Sequence, residues 1–211
     1  SFLFPIREAM FKFYNNRMEE TKAQIQPMIV FLRACDINAI SIMDAHFLKD
    51  TTEDIYYEKR RKRLKFFLME CIEPFQNCFC VSMGANKTDN YSVFVRKKDN
   101  AYEIRAKDED LEKYFISGQP CEVEPKFVEQ DLAPISLPEN IDASLFKNEI
   151  WQEYSVRCIA CGRCNVSCPT CTCFTIQGIN AKEREDIIER QKIWSSCQVK
   201  KFAIIAGNHD F

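Results

Sequence analysis

The apolar positions change period several times along this chain. Residues 28–33 (MIVFLR) form a short apolar run that predicts a buried strand. Beyond it Asp36 reads as an N-cap, and Ile37, Ile40, Met43 and Phe47 recur at helical spacing. That places Cys35 just before a helix N-terminus, where the positive end of the dipole lowers a thiol pKa. Residues 64–71 (LKFFLMEC) predict a second strand and 91–96 (YSVFVR) an alternating one. Lys98-Asp99-Asn100 supplies a turn into 101–106, so a hairpin is expected. Residues 108–117 carry acids in the first turn, with Gly118 and Pro120 beyond, and predict a helix. Four prolines between 119 and 141 mark a connecting segment. Further helices are expected from about Asp142 to Cys158 and from the near capping box Asn180-x-x-Glu183 to Trp194. The aromatic residues of the first third (Phe2, Phe4, Phe11, Phe13, Tyr14) read as core.

The pattern predicts an α+β protein in two parts. Residues 1–141 would form a mixed α/β domain, and residues 142–211 a helical ferredoxin-like domain. At 211 residues the chain is long enough to bury a real core. A net charge of −2 argues against a dedicated nucleic-acid binder, and the run Lys59-Arg60-Arg61-Lys62-Arg63 reads as a solvated helix end. No 18-residue apolar stretch occurs, so no membrane span and a cytoplasmic location are expected. Five glycines without GxGxxG or GxxxxGK[ST] disfavour nucleotide-phosphate loops, and two histidines supply poorly either a His-rich metal site or a Ser-His-Asp centre.

The twelve cysteines need a different explanation. Disulfides suit short chains without a core, whereas this chain has 17 phenylalanines. Zinc sites commonly join two C-x2-C pairs across a spacer. Here Cys158, Cys161, Cys164 and Cys168 run as C-x2-C-x2-C-x3-C and are followed at once by Pro169. That is the bacterial ferredoxin spacing for a [4Fe-4S] cluster, in which three thiolates of one loop reach three corners of a cubane. Gly162 would let the backbone pass close to inorganic sulfide and donate an N–H to it. Arg163, with Arg33 and Arg157, would stabilise the more negative reduced cluster and raise its potential. A second constellation lies upstream. If the strands ending near Cys35 and Cys71 are neighbours, both thiols meet at one sheet edge, within reach of Cys78 and Cys80. From spacing alone these four are either a further cluster site or inert buried cysteines. Cys171, Cys173 and Cys197 are unassigned ligand candidates, and Cys121 reads as packing.

The strings Arg33-Ala-Cys35-Asp36, Cys78-Phe-Cys80-Val-Ser-Met-Gly84, Asn86-Lys-Thr-Asp89, Cys168-Pro-Thr-Cys171-Thr-Cys173 and Trp194-Ser-Ser-Cys197 accompany the ferredoxin motif. With them the chain resembles the iron–sulfur subunits of anaerobic sulfite reductase complexes and is more distantly similar to sulfhydrogenase beta subunits. The resemblance implies a non-catalytic electron-transfer subunit with [4Fe-4S] clusters. Its partners would be a siroheme subunit that reduces sulfite to sulfide and a flavin- and NADH-using subunit. It also favours a cluster on Cys35, Cys71, Cys78 and Cys80. That family carries a second CxxCGxC…CP motif downstream and a leading segment, neither of which occurs here, so an internal fragment is expected. A relay subunit of a hydrogenase-type complex, a zinc-binding structural module and a labile-cluster sensor are the alternatives.

Overall fold

The structure is a computed structural model that describes residues 3–21, 25–49, 53–181, 184–199, 202, 204–205 and 209–210. It divides into two compact units, residues 25–138 and residues 1–24 with 139–211. The central unit runs from 25 to 138, and the first 24 residues join the C-terminal unit.

The central unit is built on β3 (Met28–Leu32), α1 (Ala34–Phe47), α2 (Ile55–Arg61), β4 (Leu64–Met69), β5 (Val93–Lys98), β6 (Ala101–Ala106) and a single turn, α3 (Glu109–Glu112). The sheet order is β3-β4-β5-β6. The first two pairings are parallel and the last is the expected antiparallel hairpin. β4 is nearly continuous in apolar residues because it is a central strand of the parallel part, with Phe66, Phe67 and Leu68 all buried. On α1, Ile37, Ile40 and Met43 form the buried stripe that the spacing predicts. Asp44, on the same helix, ties α1 to α2. It accepts both a 2.7 Å bond from the Tyr57 hydroxyl and two 2.9 Å bonds from Arg61 Nε. Arg61 also lies over the Phe66 ring at 4.5 Å. The basic run is thus partly consumed in holding the fold: Arg61 goes to Asp44 and Lys62 pairs with Glu58.

The other unit is mainly a four-stranded antiparallel sheet. It contains β1 (Arg7–Tyr14), β2 (Arg17–Glu20), β7 (Phe174–Ala181) and β8 (Arg184–Trp194), in the order β2-β1-β8-β7. Asn15 and Asn16 both take left-handed φ values of 47° and 57°, as a two-residue hairpin turn between β1 and β2 requires. Two short helices precede β7, α4 (Glu149–Arg157) and α5 (Arg163–Ser167), after a 3-10 turn at Ala143–Lys147. Two-residue strands, β9 (Ile204–Ile205) and β10 (His209–Asp210), pair with each other further on.

Three expectations are corrected here. Residues 184–194 are a strand and not a helix: β8 sits between β1 and β7, and its backbone groups are satisfied on both sides. Glu183 of the supposed capping box lies outside the described residues. The helix expected from Asp142 breaks at Asn148, which is extended and whose side chain caps α4 by accepting from the Ile150 N–H at 3.0 Å. The helix expected over 108–117 is only the turn α3, capped by Asp108. The α+β class holds, but in place of a helical C-terminal domain there are two short helices followed by a sheet. Among the described residues, no helix is long and apolar enough to cross a membrane.

Candidate iron-sulfur sites

Each unit gathers its own set of cysteines. In the central unit β3 and β4 are adjacent and parallel, with Leu32 beside Leu68. Their C-terminal ends therefore bring Cys35 and Cys71 to one sheet edge, where open parallel sheets place their ligands. The helix begins at Ala34 with Arg33 as its N-cap, so Cys35 lies in the first turn and not before it. Asp36 accepts from the Arg33 backbone N–H at 3.2 Å.

Cys78 and Cys80 reach the same edge on a tightly pinned loop. Asp131 accepts from the Val81 N–H at 3.0 Å, the Ser82 N–H at 2.6 Å and the Ser82 hydroxyl at 2.7 Å. Asn38 of α1 donates to the carbonyls of Ala85 at 3.0 Å and Lys87 at 2.9 Å, and Asn86 donates to that of Val128 at 2.7 Å. Gly84 turns the loop at φ 62°, where a side chain would be strained.

Cys35 feels Cys71 and Cys80, and those two feel Cys78. Burial pushes the Cys35 thiol up, and negative charge on Asp36, Cys80 and Cys71 adds to it. Burial likewise raises Cys71 and Cys80, each of which also feels Cys78. The lowering expected at Cys35 from the helix dipole is thus outweighed by desolvation. Arg33 opposes the rise at Cys71, and its guanidinium stacks over Phe75 at 4.5 Å. The Phe75 N–H donates to Cys78 Sγ at 3.3 Å. Asp131 was not anticipated from sequence. It sits in the proline-rich segment, and its only sequence signal is an acid amid otherwise unpatterned residues.

In the other unit the C-x2-C-x2-C loop joins α4 to α5. Ala160 and Gly162 both take left-handed φ values, 53° and 69°. The Ala160 N–H donates to Cys158 Sγ at 3.4 Å. A Cβ on Gly162 would come within 3.2 Å of Ser196 Cβ, so glycine is needed both for φ and for close approach. Cys158, Cys161 and Cys164 are exposed. With Gly162, Trp151 and Tyr154 they line an open cleft of about 740 Å³. The expected fourth member, Cys168, is not among the lining residues. It caps α5, with its N–H on the Cys164 carbonyl at 3.0 Å and its sulfur 3.2 Å from Thr170 Oγ1. Such a position suits the fourth cysteine of this spacing, which serves a different cluster in two-cluster proteins. Arg163 is exposed on α5 and does not line the cleft.

Cys121 is an exposed free thiol and not a packed one. Cys171 and Cys173, by contrast, are half-buried, and Cys173 feels both Cys171 and Cys197. Among the described residues no three His, Cys, Asp or Glu converge as tightly as one metal ion demands. A cubane asks for a wider arrangement, because each thiolate binds a different iron. Room, loop shape and an all-sulfur donor set therefore fit a cluster in the cleft.

Residues 157–211 match the family model described as a 4Fe-4S dicluster domain. Along 97% of its length the chain is similar, at 26% identity, to the sulfhydrogenase 2 subunit beta of Pyrococcus furiosus. It spans 65% of that protein. No solved structure matches the chain.

Proposed function

We propose that this chain is an iron–sulfur electron-transfer subunit of a hydrogenase-type oxidoreductase complex. The observation that carries the reading is the convergence of Cys158, Cys161 and Cys164 on one open cleft, within the region that matches a 4Fe-4S dicluster domain. The similarity to a sulfhydrogenase subunit, extending over nearly the whole chain, supports the type of complex. Cys158, Cys161 and Cys164 hold one [4Fe-4S] cluster, with Cys168 closing it or passing to a neighbouring one. Cys35, Cys71, Cys78 and Cys80 hold another.

When bound, such clusters store and release single electrons. The chain's own residues set the conditions. The Ala160 and Phe75 N–H groups stabilise the sulfurs of Cys158 and Cys78. Arg33 places positive charge beside Cys71. Trp151 and Tyr154 line the cleft, which stays open for a redox partner to approach.

The CFCVSMG and CPTCTC strings favour a second reading of the complex. In it the partners are a siroheme subunit that reduces sulfite and a flavin- and NADH-binding subunit. The readings separate on what co-purifies with the native complex: nickel supports the first, a siroheme absorption band the second.

The relay itself is tested by anaerobic purification with iron and sulfide counts. The Cys158→Ser/Cys161→Ser variant should lose about four irons and four sulfides per chain. The Cys71→Ser/Cys80→Ser variant should lose a similar number independently. Protein that carries zinc and no sulfide would refute the reading.

A further inference from the structure

Three cysteines outside both sets are drawn together at one end of the antiparallel sheet. Cys171 and Cys173 lead into β7, and Cys197 follows β8. The terminal pair of the ladder is Phe174 with Trp194. One more bond, from the Ser195 N–H to the Cys173 carbonyl at 2.9 Å, carries the pairing past the strands. Chain geometry then returns Cys197 towards Cys173, whose thiolate form its backbone N–H favours. The backbone N–H of Cys173 in turn favours the thiolate form of Cys171.

The surroundings of these sulfurs are unusually rich in N–H donors. Asn165 is 7% exposed, and its amide donates to Cys171 Sγ at 3.1 Å. Its carbonyl is fixed by the buried Ser196, whose hydroxyl donates at 2.5 Å and accepts from the Gln198 N–H at 3.1 Å. The Gln198 side-chain amide reaches Cys197 Sγ at 3.7 Å. The Trp194 indole N–H is buried, faces Cys171 and completes no ordinary hydrogen bond. A neutral thiol is a weak acceptor and repays such donors poorly, whereas a metal-bound thiolate is matched to them. All three sulfurs are free thiols, and they do not close around a point as a single ion requires.

We propose that Cys171, Cys173 and Cys197 ligate an iron–sulfur cluster of their own, separate from the cluster on the C-x2-C-x2-C loop. Asn165 and Trp194 are its sulfur-directed donors. Three thiolates on a four-iron cluster leave one iron for a ligand that is not cysteine. Asn165 Oδ1 also lies 3.3 Å from Cys164 Sγ, an S–H···O contact in the free thiol, so one side chain touches a sulfur of each site. Electrons could pass between the two through that amide.

The experiment compares the full chain, purified anaerobically, with Cys171→Ser/Cys173→Ser, Cys197→Ser and Trp194→Phe. Iron, sulfide and zinc are counted, and potentials are read by EPR-monitored titration. Both serine variants should lose the same signal and about four irons, with the cluster that depends on Cys158 retained. Trp194→Phe keeps every ligand; it should keep the iron and lower the potential of that one signal only. A readout that needs no variant guards against misfolding. Cys197 is exposed, so in native protein it should resist alkylation until the iron is chelated, then react at least tenfold faster. Unchanged iron in both serine variants would overturn the proposal. So would stoichiometric zinc at these residues, a disulfide among them in the native protein, or immediate alkylation of Cys197. If Cys158→Ser/Cys161→Ser loses no iron while the Cys171, Cys173 and Cys197 signal stands, the fault lies with the relay reading instead.

Discussion

Single residues decide whether the upstream thiols can meet at all. Asp131 is the clearest case, because one carboxylate takes both N–H groups after Cys80 and the Ser82 hydroxyl. Burial works against its charge, yet the donors from Ser82 and Val81 hold the carboxyl below the usual aspartate range. Its folded pKa is therefore depressed, and its hold on the loop is present above the ordinary aspartate value and lost as the pH falls through the folded one. Asp131→Ala should release the loop, and the iron that depends on Cys71 and Cys80 should fall by up to about four per chain. The iron that depends on Cys158 should stay. Equal losses at both sites in the iron counts would contradict this role. Cysteine spacing pointed to Cys158, Cys161 and Cys164 in the C-terminal unit because they share one loop. It left Cys35, Cys71, Cys78 and Cys80 open, since their meeting depends on two strands being neighbours, a fact that no local pattern contains.

At the scale of elements, α1 and α2 are locked by the charge on Asp44 as well as by apolar packing. Arg61 and Asp44 are each only about one-fifth exposed, at 19% and 22%. Asp44→Ala leaves the Arg61 guanidinium and the Tyr57 hydroxyl without their acceptor, at a cost of about 2–3 kcal/mol. Thermal unfolding of the central unit should begin roughly 10 °C lower; a shift under a couple of degrees would mean that packing alone joins the helices. The βαβ pattern and the β5–β6 hairpin were legible because helix and strand periods alternate cleanly there. β8 was misread for a physical reason. Arg184–Trp194 mixes acids, Arg, Gln and Lys with Ile187, Ile188 and Ile193, a pattern that fits a helix face as well as a strand. What settles it is the pairing with β1 and β7, far away in sequence. The Asn148 break and the Asn15-Asn16 turn carried local signals, in Asn as an N-cap and in paired residues that tolerate positive φ.

For the whole molecule, the two sets of thiols belong to separate compact units, each with its own sheet. A core defect in one should therefore leave the metal of the other in place. Leu68 is 1% exposed in the central unit, and Leu68→Ala should destabilise that unit by about 3 kcal/mol. The iron that depends on Cys158 should remain, together with the second phase of a thermal melt. A single cooperative loss of both would show that the units are coupled.

The pairing of β1 with β8 has a temporal consequence. Arg7 lies against Ile193. A ribosome therefore releases one edge of this pairing long before it makes the other. In the interval β1 has only the hairpin with β2, and such a pair is marginal in water. The central unit is compact by itself, a single run of chain from 25 to 138, and should mature while the rest of the chain is still being made. Closing so long a loop is slow. Pulsed hydrogen exchange during refolding should accordingly find the β1 and β8 amides protected last. Cysteine delivery follows the same clock: Cys35 to Cys80 become available early, while Cys171, Cys173 and Cys197 must wait for the final seam.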